Sequence, residues 1–596
     1  MRIVLLYPPP WKIAAPGGPP FAPDGPPSKS AERILTDGDF LTAPYGLLSL
    51  AAQARRAGHQ VVIINCANFP WKDITLLVRH LEAELYGLSC HTANRRGLAM
   101  LARLIREAHP EAHIVAGGPF VTGLPGETLE HYPDIDTVVM GEGEETFLEL
   151  IQRLEQSQSL RGLAGAAWRQ GGCVHVGPPR RRITDLDALA SPLEYFPLST
   201  LITSRGCPGE CTYCASRVMW GRKVTFHSAG YVLEMIRKAL VEHDQRVLSF
   251  KDDTFTANRQ RTLDICKGIR EQNLNFVWSC DTRVDTLDEE LLHYLRLAGC
   301  QRLSLGVESG SPLILKNIKK RVSPEMVLDA TRLAKDYGFE IRFYLMVFNR
   351  GETLETFRRS FDLLEAARPH EVIFSPLAIY PGTEEFELWR SHGGEAEIFF
   401  RENFVDLGPA LGDPEEVRQI YELMEAKAGA KTSYTLAELQ GILQRLPQHP
   451  GVHLDVSGAY FREGKWSEAE KHAKLAMNLG YPLAGLALNY LACIAAARGA
   501  YDEAMINLVK AYKSYPHRIV MQNLERLAAW HQAGGPGGGV PLGLRCDNSF
   551  ELNFINRQPE SPGPVRLKNH RQEREYLLGP ESEGDYHQGE PMQVDF

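Results

Sequence analysis

A chain of 596 residues with 44% apolar side chains carries enough hydrophobic material for about three or four domain cores. Its formal charge of −9 is spread thinly, with no long basic run, which argues against a nucleic-acid partner. Eleven cysteines, an odd number, fit a reducing compartment better than a disulfide framework. The apolar opening over residues 1–7 is too brief for a signal peptide, and the apolar stretch 483–497 is too short to span a bilayer. A cytoplasmic protein without a membrane span is the expectation.

Over residues 1–155, apolar runs alternate with amphipathic segments, the pattern of a doubly wound α/β domain. Strands are expected at 2–9, 60–66, 84–90, 113–117 and 137–140, with helices such as 45–57 and 95–109 between them. Gly117-Gly118-Pro119 and Gly141-Glu142-Gly143-Glu144 follow the later strands. Open α/β sheets bind ligands at the carboxyl ends of their strands, where glycine lets a large ligand approach the backbone. The first strand lacks G-x-G-x-x-G, which argues against an ordinary dinucleotide fold. The physical reading is a nucleotide- or cofactor-binding domain, or a docking module that has lost its ligand. Residues 156–196 read as a linker, with a small hairpin across Gly171-Gly172 and a basic turn, Arg180-Arg181-Arg182, that is either solvated or meets a cofactor phosphate.

An apolar run at 198–203 leads through Ser204-Arg205-Gly206 into Cys207-Pro208-Gly209-Glu210-Cys211-Thr212-Tyr213-Cys214. Three thiols spaced C-x3-C-x2-C on one loop can converge on one inorganic centre, and thiolates select zinc, copper(I) or iron–sulfur clusters. A structural zinc closes with four ligands; this loop supplies three. Four irons held by three thiolates leave one iron open to chelate a small molecule. A zinc knuckle and three unrelated buried thiols are the alternatives. Further strands at 247–251, 276–280, 302–307, 341–347 and 372–379, with helices such as 231–243 and 353–367, make a partial (β/α)6 barrel over residues 197–400. Asp252, Arg283, Glu308 and Ser309 stand at or near its strand ends, where barrel enzymes place functional groups.

Residues 401–445 read as a helical extension at the barrel's exit. In 446–532, Gly464, Trp466, Ala469 and Ala476 recur as Gly499, Tyr501, Ala504 and Ala511, an offset close to the tetratricopeptide period. This all-α repeat region is expected to dock a protein partner or to cap the barrel. From 533 to 596, Gly and Pro supply 17 of 64 residues without a period, the composition of a disordered tail, with Cys546 a free thiol in it.

The cysteine spacing, with Tyr213 just before the last thiol, resembles that of the radical S-adenosylmethionine (SAM) enzymes. The resemblance implies a 4Fe-4S cluster on Cys207, Cys211 and Cys214, and a SAM site that includes Tyr213, Asp252, Arg283, Glu308 and Ser309. The opening strand with its prolines, the Pro44-Tyr45-Gly46 helix start and the two glycine turns look like the cobalamin-binding domain of one large radical SAM class. That likeness implies cobalamin near Pro8, Pro9, Ser89, Thr92, Gly117, Gly118, Gly141, Glu142 and Gly143. Pro8-Pro9-Pro10-Trp11 stands where D-x-H-x-x-G would supply a cobalt ligand, so cobalt is expected without that histidine; His91 is the nearest imidazole. Phe348-Asn349-Arg350-Gly351-Glu352-Thr353 departs from the usual Gly-x-Pro-Gly-Glu-Thr, which puts that side of the pocket in doubt.

The implied function is methylation of an unactivated carbon in a small-molecule or peptide substrate. An external low-potential donor reduces the cluster, SAM breaks to methionine and a 5′-deoxyadenosyl radical, and a methylated cobalt delivers the methyl group to the substrate radical. An oxidative cyclase or rearrangement enzyme with the same cofactors is the first alternative. A non-catalytic scaffold bearing the repeats is the second.

Overall fold

The computed structural model describes residues 1–9, 44–67, 69, 71–401, 413–427, 431–535, 542–550 and 552, and the backbone of 565–569 and 574–578. Two parallel sheets form its framework. The first runs in the order β2-β1-β3-β4-β5-β6-β7, with β1 Arg2–Tyr7, β2 Gln60–Asn65, β3 Leu85–Ser89, β4 His113–Gly117, β5 Thr137–Val139, β6 Ala166–Gln170 and β7 Cys173–Val176. β1 to β5 are parallel and apolar throughout, since helices such as Tyr45–Arg56 and Arg95–Ala108 cover both faces. The first strand stops at Tyr7, before Pro8 and Pro9, which have no N–H to give a ladder.

The hairpin expected inside the linker is part of this sheet. Gly171 and Gly172 both take positive φ, 59° and 79°, as a two-residue hairpin turn requires. β6 then pairs antiparallel with β5, so the domain extends to Val176 and only the following residues remain a connector.

The second sheet runs β15-β14-β13-β12-β11-β8, all parallel and in chain order: β8 Thr200–Leu201, β11 Val247–Phe250, β12 Val277–Thr282, β13 Cys300–Glu308, β14 Glu340–Val347 and β15 Glu371–Pro376. β8 and β15 do not pair, so the barrel is open between them. The run expected at 198–203 is broken: β8 ends, and Ser204–Arg205 (β9) turns away to pair with Thr225–Phe226 (β10). Phe250, Phe255, Phe276 and Trp278 fill the core, and the Trp278 indole donates to the Ala298 carbonyl at 2.7 Å.

Helices Leu436–Arg445 and Pro450–Arg462 continue that core through Leu439, Ile442, Val452 and Val456. The extension is divided: Ile420 of the helix Pro414–Lys427 packs with Val347 and Phe348 at the carboxyl end of β14, as expected of the exit, whereas Ile442 packs against Gly338 and the Tyr434 hydroxyl donates to the Phe339 carbonyl, both just before β14. Two helix pairs follow the expected offset, Pro450–Arg462 with Trp466–Asn478 and Ala484–Ala497 with Tyr501–Ser514, and Arg518–Gln532 closes the array. Part of the supposed tail is ordered: residues 542–550 lie against these helices. The rest of 533–596, apart from 533–535, residue 552 and two short strands, lies outside the described residues. Among the described residues no helix is long and apolar enough to cross a membrane.

The two sheets meet through small residues. A Cβ on Gly123, at the end of the helix Pro119–Gly123, would stand 2.5 Å from the Pro381 carbonyl oxygen, and one on Gly382 3.4 Å from the Gly123 Cα. Gly123→Ala should therefore force the first domain off the barrel, costing about 1–3 kcal/mol in the measured unfolding midpoint. Gly46→Ala, where a Cβ meets nothing within 4 Å, is the control and should leave stability equal or higher. Equal midpoints for Gly123→Ala and the parent would contradict this contact.

Candidate functional site

The turn after β5 meets the residues that flank the three-cysteine loop, through Arg205 with Glu142 and Glu144 and through Gly141 near the Met219 carbonyl. The loop is pinned at both ends by one side chain. Asp253 accepts from the Gly206 amide at 3.2 Å and from the Ser216 hydroxyl at 2.7 Å, bracketing the three thiols. Gly206 has φ 96°, and a Cβ there would lie 2.9 Å from the Lys223 carbonyl oxygen, so only glycine makes this turn. The middle is tied by Thr212, whose amide donates to the Ile318 carbonyl (3.1 Å) and whose hydroxyl donates to buried Glu385 (2.6 Å).

The loop's chemistry fits an iron–sulfur cluster. The Gly209 amide donates to the Cys207 sulfur at 3.4 Å, and the Thr254 hydroxyl lies 3.3 Å from it. Cys207 and Cys214 are half-buried and Cys211 is buried. Burial pushes the Cys214 thiol up to about 12, with Asp253 and the other two thiols adding to it, so it ionises only against the charge of a bound metal. Among the described residues no three His, Cys, Asp or Glu side chains converge on a single ion; a cluster taking one thiolate at each of three corners needs its sulfurs apart.

Of the residues expected around SAM, three gather at the loop. Arg283 lies over it, its guanidinium 2.9 Å from where a Gly209 Cβ would stand, and is held by Asp285 at 2.9 and 2.7 Å. Burial opposes its charge, but Asp285 and the neighbouring thiols outweigh that and raise its pKa. Tyr213 packs against Ile318, Met346 and Leu377, and burial followed by the Glu308 carboxylate raises its hydroxyl's pKa. Glu308 adopts φ 68°, a left-handed conformation, and receives the Lys320 ammonium at 2.9 Å. Gly306 leaves the room for this buried ion pair: a Cβ there would meet Lys320 Nζ at 2.8 Å.

The other two residues are bound into the backbone. Asp252 is 1% exposed; its carboxylate accepts from the Thr203 amide (2.5 Å) and hydroxyl (2.6 Å) and from the Ser204 amide (3.1 Å). Ser309 is fully buried and accepts from the Ser311 amide at 3.1 Å. Asp253, Thr254, Lys320 and Glu385 escaped the sequence reading. Asp253 adjoins an identified residue, whereas Lys320 in Lys319-Lys320-Arg321 looks like any solvated basic run.

On the first sheet, the Asn94 amide donates to the carbonyls of Pro8 (3.4 Å) and Ser89 (3.2 Å), joining the ends of β1 and β3. Thr92 is buried in the short turn Thr92–Asn94 that His91 caps. Gly118 has φ 113° and runs so close to Cys90 that a Cβ would meet its carbonyl oxygen at 2.5 Å. Gly117, Gly141 and Gly143 present backbone at the ends of β4 and β5, and Gly141 looks toward Met219 beside the cluster loop. These glycines let neighbouring chain pack closely: a Cβ on Gly143 would meet Leu50 at 3.1 Å and one on Gly117 the Val139 carbonyl oxygen at 3.7 Å. Pro10 and Trp11 lie outside the described residues. Glu142 is engaged otherwise: with Glu144 it holds the buried Arg205 guanidinium, at 2.9 and 2.5 Å. Its other oxygen accepts from the Ile183 amide.

Two family descriptions match the chain: B12 binding domain over residues 34–151 and Radical SAM superfamily over residues 201–364. An uncharacterized methyltransferase of Pyrococcus horikoshii is 30% identical, over 61% of this chain and 81% of its own. An anaerobic magnesium-protoporphyrin IX monomethyl ester cyclase of Synechocystis is 29% identical, over 50% of this chain and 62% of its own. The solved structure of the cobalamin-dependent S-adenosylmethionine radical enzyme OxsB with aqua-cobalamin bound shares the fold, with TM-score 0.54 at 17% identity, covering 90% of this chain and 84% of that one.

The segment that departs from the family pattern carries a titratable group. Glu352 accepts from the Asn349 amide at 3.0 Å, while its other oxygen is buried without a hydrogen-bond partner. Burial raises its pKa to about 7 against the Asn349 hydrogen bonds. A folded-state pKa above the unfolded one favours the neutral acid, so its contribution is present below about pH 4.5 and is lost as pH rises through 7. Glu352→Gln should therefore be more stable than the parent at pH 8, by about 3 kcal/mol in urea unfolding, and equal to it at pH 4.5. A difference that does not change between the two pH values would refute the assignment.

Proposed function

Given that the chain belongs to the radical SAM superfamily and carries a B12-binding domain ahead of its barrel, we propose that it transfers a methyl group from SAM to an unactivated carbon. The observation that supports this reading is the contact between the turn after β5 and the residues flanking the three-thiol loop, through Arg205 with Glu142 and Glu144 and through Gly141 near Met219. When bound, the cluster, SAM and cobalamin supply the radical and methyl-transfer chemistry.

The chain's own part is placement. Cys207, Cys211 and Cys214 hold the cluster, and Asp253 and Thr212 keep their loop in register. Asp252 fixes the strand end from which the loop departs, while Glu308, Tyr213 and Arg283 face SAM with Lys320 paired to Glu308. Pro8, Pro9, Ser89, Thr92, Gly117, Gly118, Gly141 and Gly143 cradle cobalamin without a histidine beneath the cobalt. Glu142 closes the domain contact beside it. A cytoplasmic setting, an external electron donor and a tetratricopeptide-like partner surface on the helices belong to the same proposal. The domains follow as 1–176 for cobalamin, 197–400 for the barrel, 401–445 and 446–532 for the helices. A cyclase without methyl transfer is the second reading, favoured by the Synechocystis relative.

The test is anaerobic reconstitution of the full chain with iron, sulfide and cobalamin, followed by reduction in the presence of SAM and of extracts containing candidate substrates. We expect methionine and 5′-deoxyadenosine, and a product heavier by one methyl group. Replacing Cys207, Cys211 and Cys214 together by Ala should remove iron, sulfide and the brown absorbance, and cut SAM cleavage at least 1,000-fold. A product changed only in oxidation state or ring count would support the cyclase reading; a full cluster in the triple variant would refute the ligand assignment.

A further inference from the structure

Residues 542–550 cross the helices Pro450–Arg462, Ala484–Ala497 and Arg518–Gln532, contacting Asp455, Asn489 and Asn523. Arg545 is held by its backbone: its amide donates to Asn523 Oδ1 at 3.0 Å, and its carbonyl accepts from Asn523 Nδ2 and Asn489 Nδ2, each at 2.9 Å. Arg526 donates to the Gly543 carbonyl at 2.7 Å. Leu542 and Leu544 pack on the cluster built from Ala492, Leu527 and Trp530. Asn548 accepts from the Tyr490 hydroxyl at 2.9 Å and donates to Asp455 at 2.9 Å.

The far end lands on the floor of the barrel. Gln301 donates to the Asn548 carbonyl at 2.8 Å, the Phe550 amide donates to Glu340 at 3.0 Å, and Phe550 is 3% exposed beneath the Arg302 guanidinium. Gln301, Arg302 and Glu340 start β13 and β14, at the end opposite the cysteine loop. Between this segment and the last helix the sequence is Ala533-Gly534-Gly535-Pro536-Gly537-Gly538-Gly539-Val540-Pro541, in which Val540 is the one large aliphatic side chain.

We propose that the face shared by the helices Pro450–Arg462, Ala484–Ala497 and Arg518–Gln532 is a peptide site whose occupant is the chain's own segment 542–550, and that this occupant straps the helical array to the barrel floor. Asparagine amides read the peptide's backbone. Apolar pockets read its first, third and ninth residues, Leu542, Leu544 and Phe550, and Asp455 with Tyr490 reads Asn548. Tethering by the preceding residues adds an effective concentration in the millimolar range to the segment's own affinity for the site. The proposal is independent of the reaction at the other end of the barrel.

The test replaces Gly537–Gly539 in the full chain by a protease recognition sequence, cuts it, and follows the C-terminal fragment by gel filtration. We expect the fragment to co-elute with the body and to be released by excess synthetic peptide of sequence 541–552. Arg545→Pro removes the amide donor without touching any helix, and should weaken retention at least tenfold. Asn523→Ala should do the same from the helix side. Separation of the unsubstituted fragment on cutting would overturn the proposal, as would retention of the Arg545→Pro fragment unchanged or failure of the peptide to displace.

Discussion

Everything at this site depends on a buried guanidinium shared between two domains. Arg205, two residues before the first cluster cysteine, bonds Glu142 and Glu144 of the turn after β5, and the Ser49 hydroxyl donates to Glu144 at 2.7 Å. All three charged side chains are almost wholly withdrawn from water. Burial works to raise the pKa of Glu144, but Arg205 outweighs it and holds the carboxyl below its ordinary range. A buried pair of this kind adds little net stability, yet breaking it leaves an uncompensated charge. Its effect is therefore on registry: the turn after β5 and the cysteine loop can meet in one way.

From that registry the electrostatics of the loop follow. The strand end before it is fixed by Asp252, its two ends by Asp253, and its middle by Thr212 with Glu385. The sulfur of Cys207 receives an amide and lies beside a hydroxyl, and the Arg283 and Lys320 charges stand close by. Hydrogen bonds to sulfur and local net charge are the means by which a protein sets the potential of an iron–sulfur centre. Burial lowers the affinity of Lys320 for its proton, and Glu308 more than restores it, so the lysine stays charged in a site with almost no solvent.

Much of this was legible in the sequence, for local reasons. The thiol spacing, the alternation of apolar strands with amphipathic helices, and the Gly171-Gly172 turn are short-range patterns, and each led to its observed element. What failed involved distant partners. Nothing in the Gly-Glu-Gly-Glu turn announced that Glu142 and Glu144 would bond an arginine some sixty residues on. The hairpin's turn was evident, but that β5 would accept it as a neighbour was not. Composition also misled: the Gly and Pro content of 533–596, taken as a whole, concealed a nine-residue segment anchored by Leu544, Asn548 and Phe550. Asp252 and Asp253 look alike in the sequence until their hydrogen bonds are known.

The central claim is that the cluster loop and the cobalamin site open onto one gap. It is tested most directly by electron paramagnetic resonance of the anaerobically reconstituted chain, with the cluster reduced and the cobalt held as cob(II)alamin. The account predicts a cobalt signal without nitrogen superhyperfine splitting, and magnetic interaction between cobalt and cluster that alters the relaxation of both. Two signals that relax independently, or a cobalt split by a protein nitrogen, would contradict it.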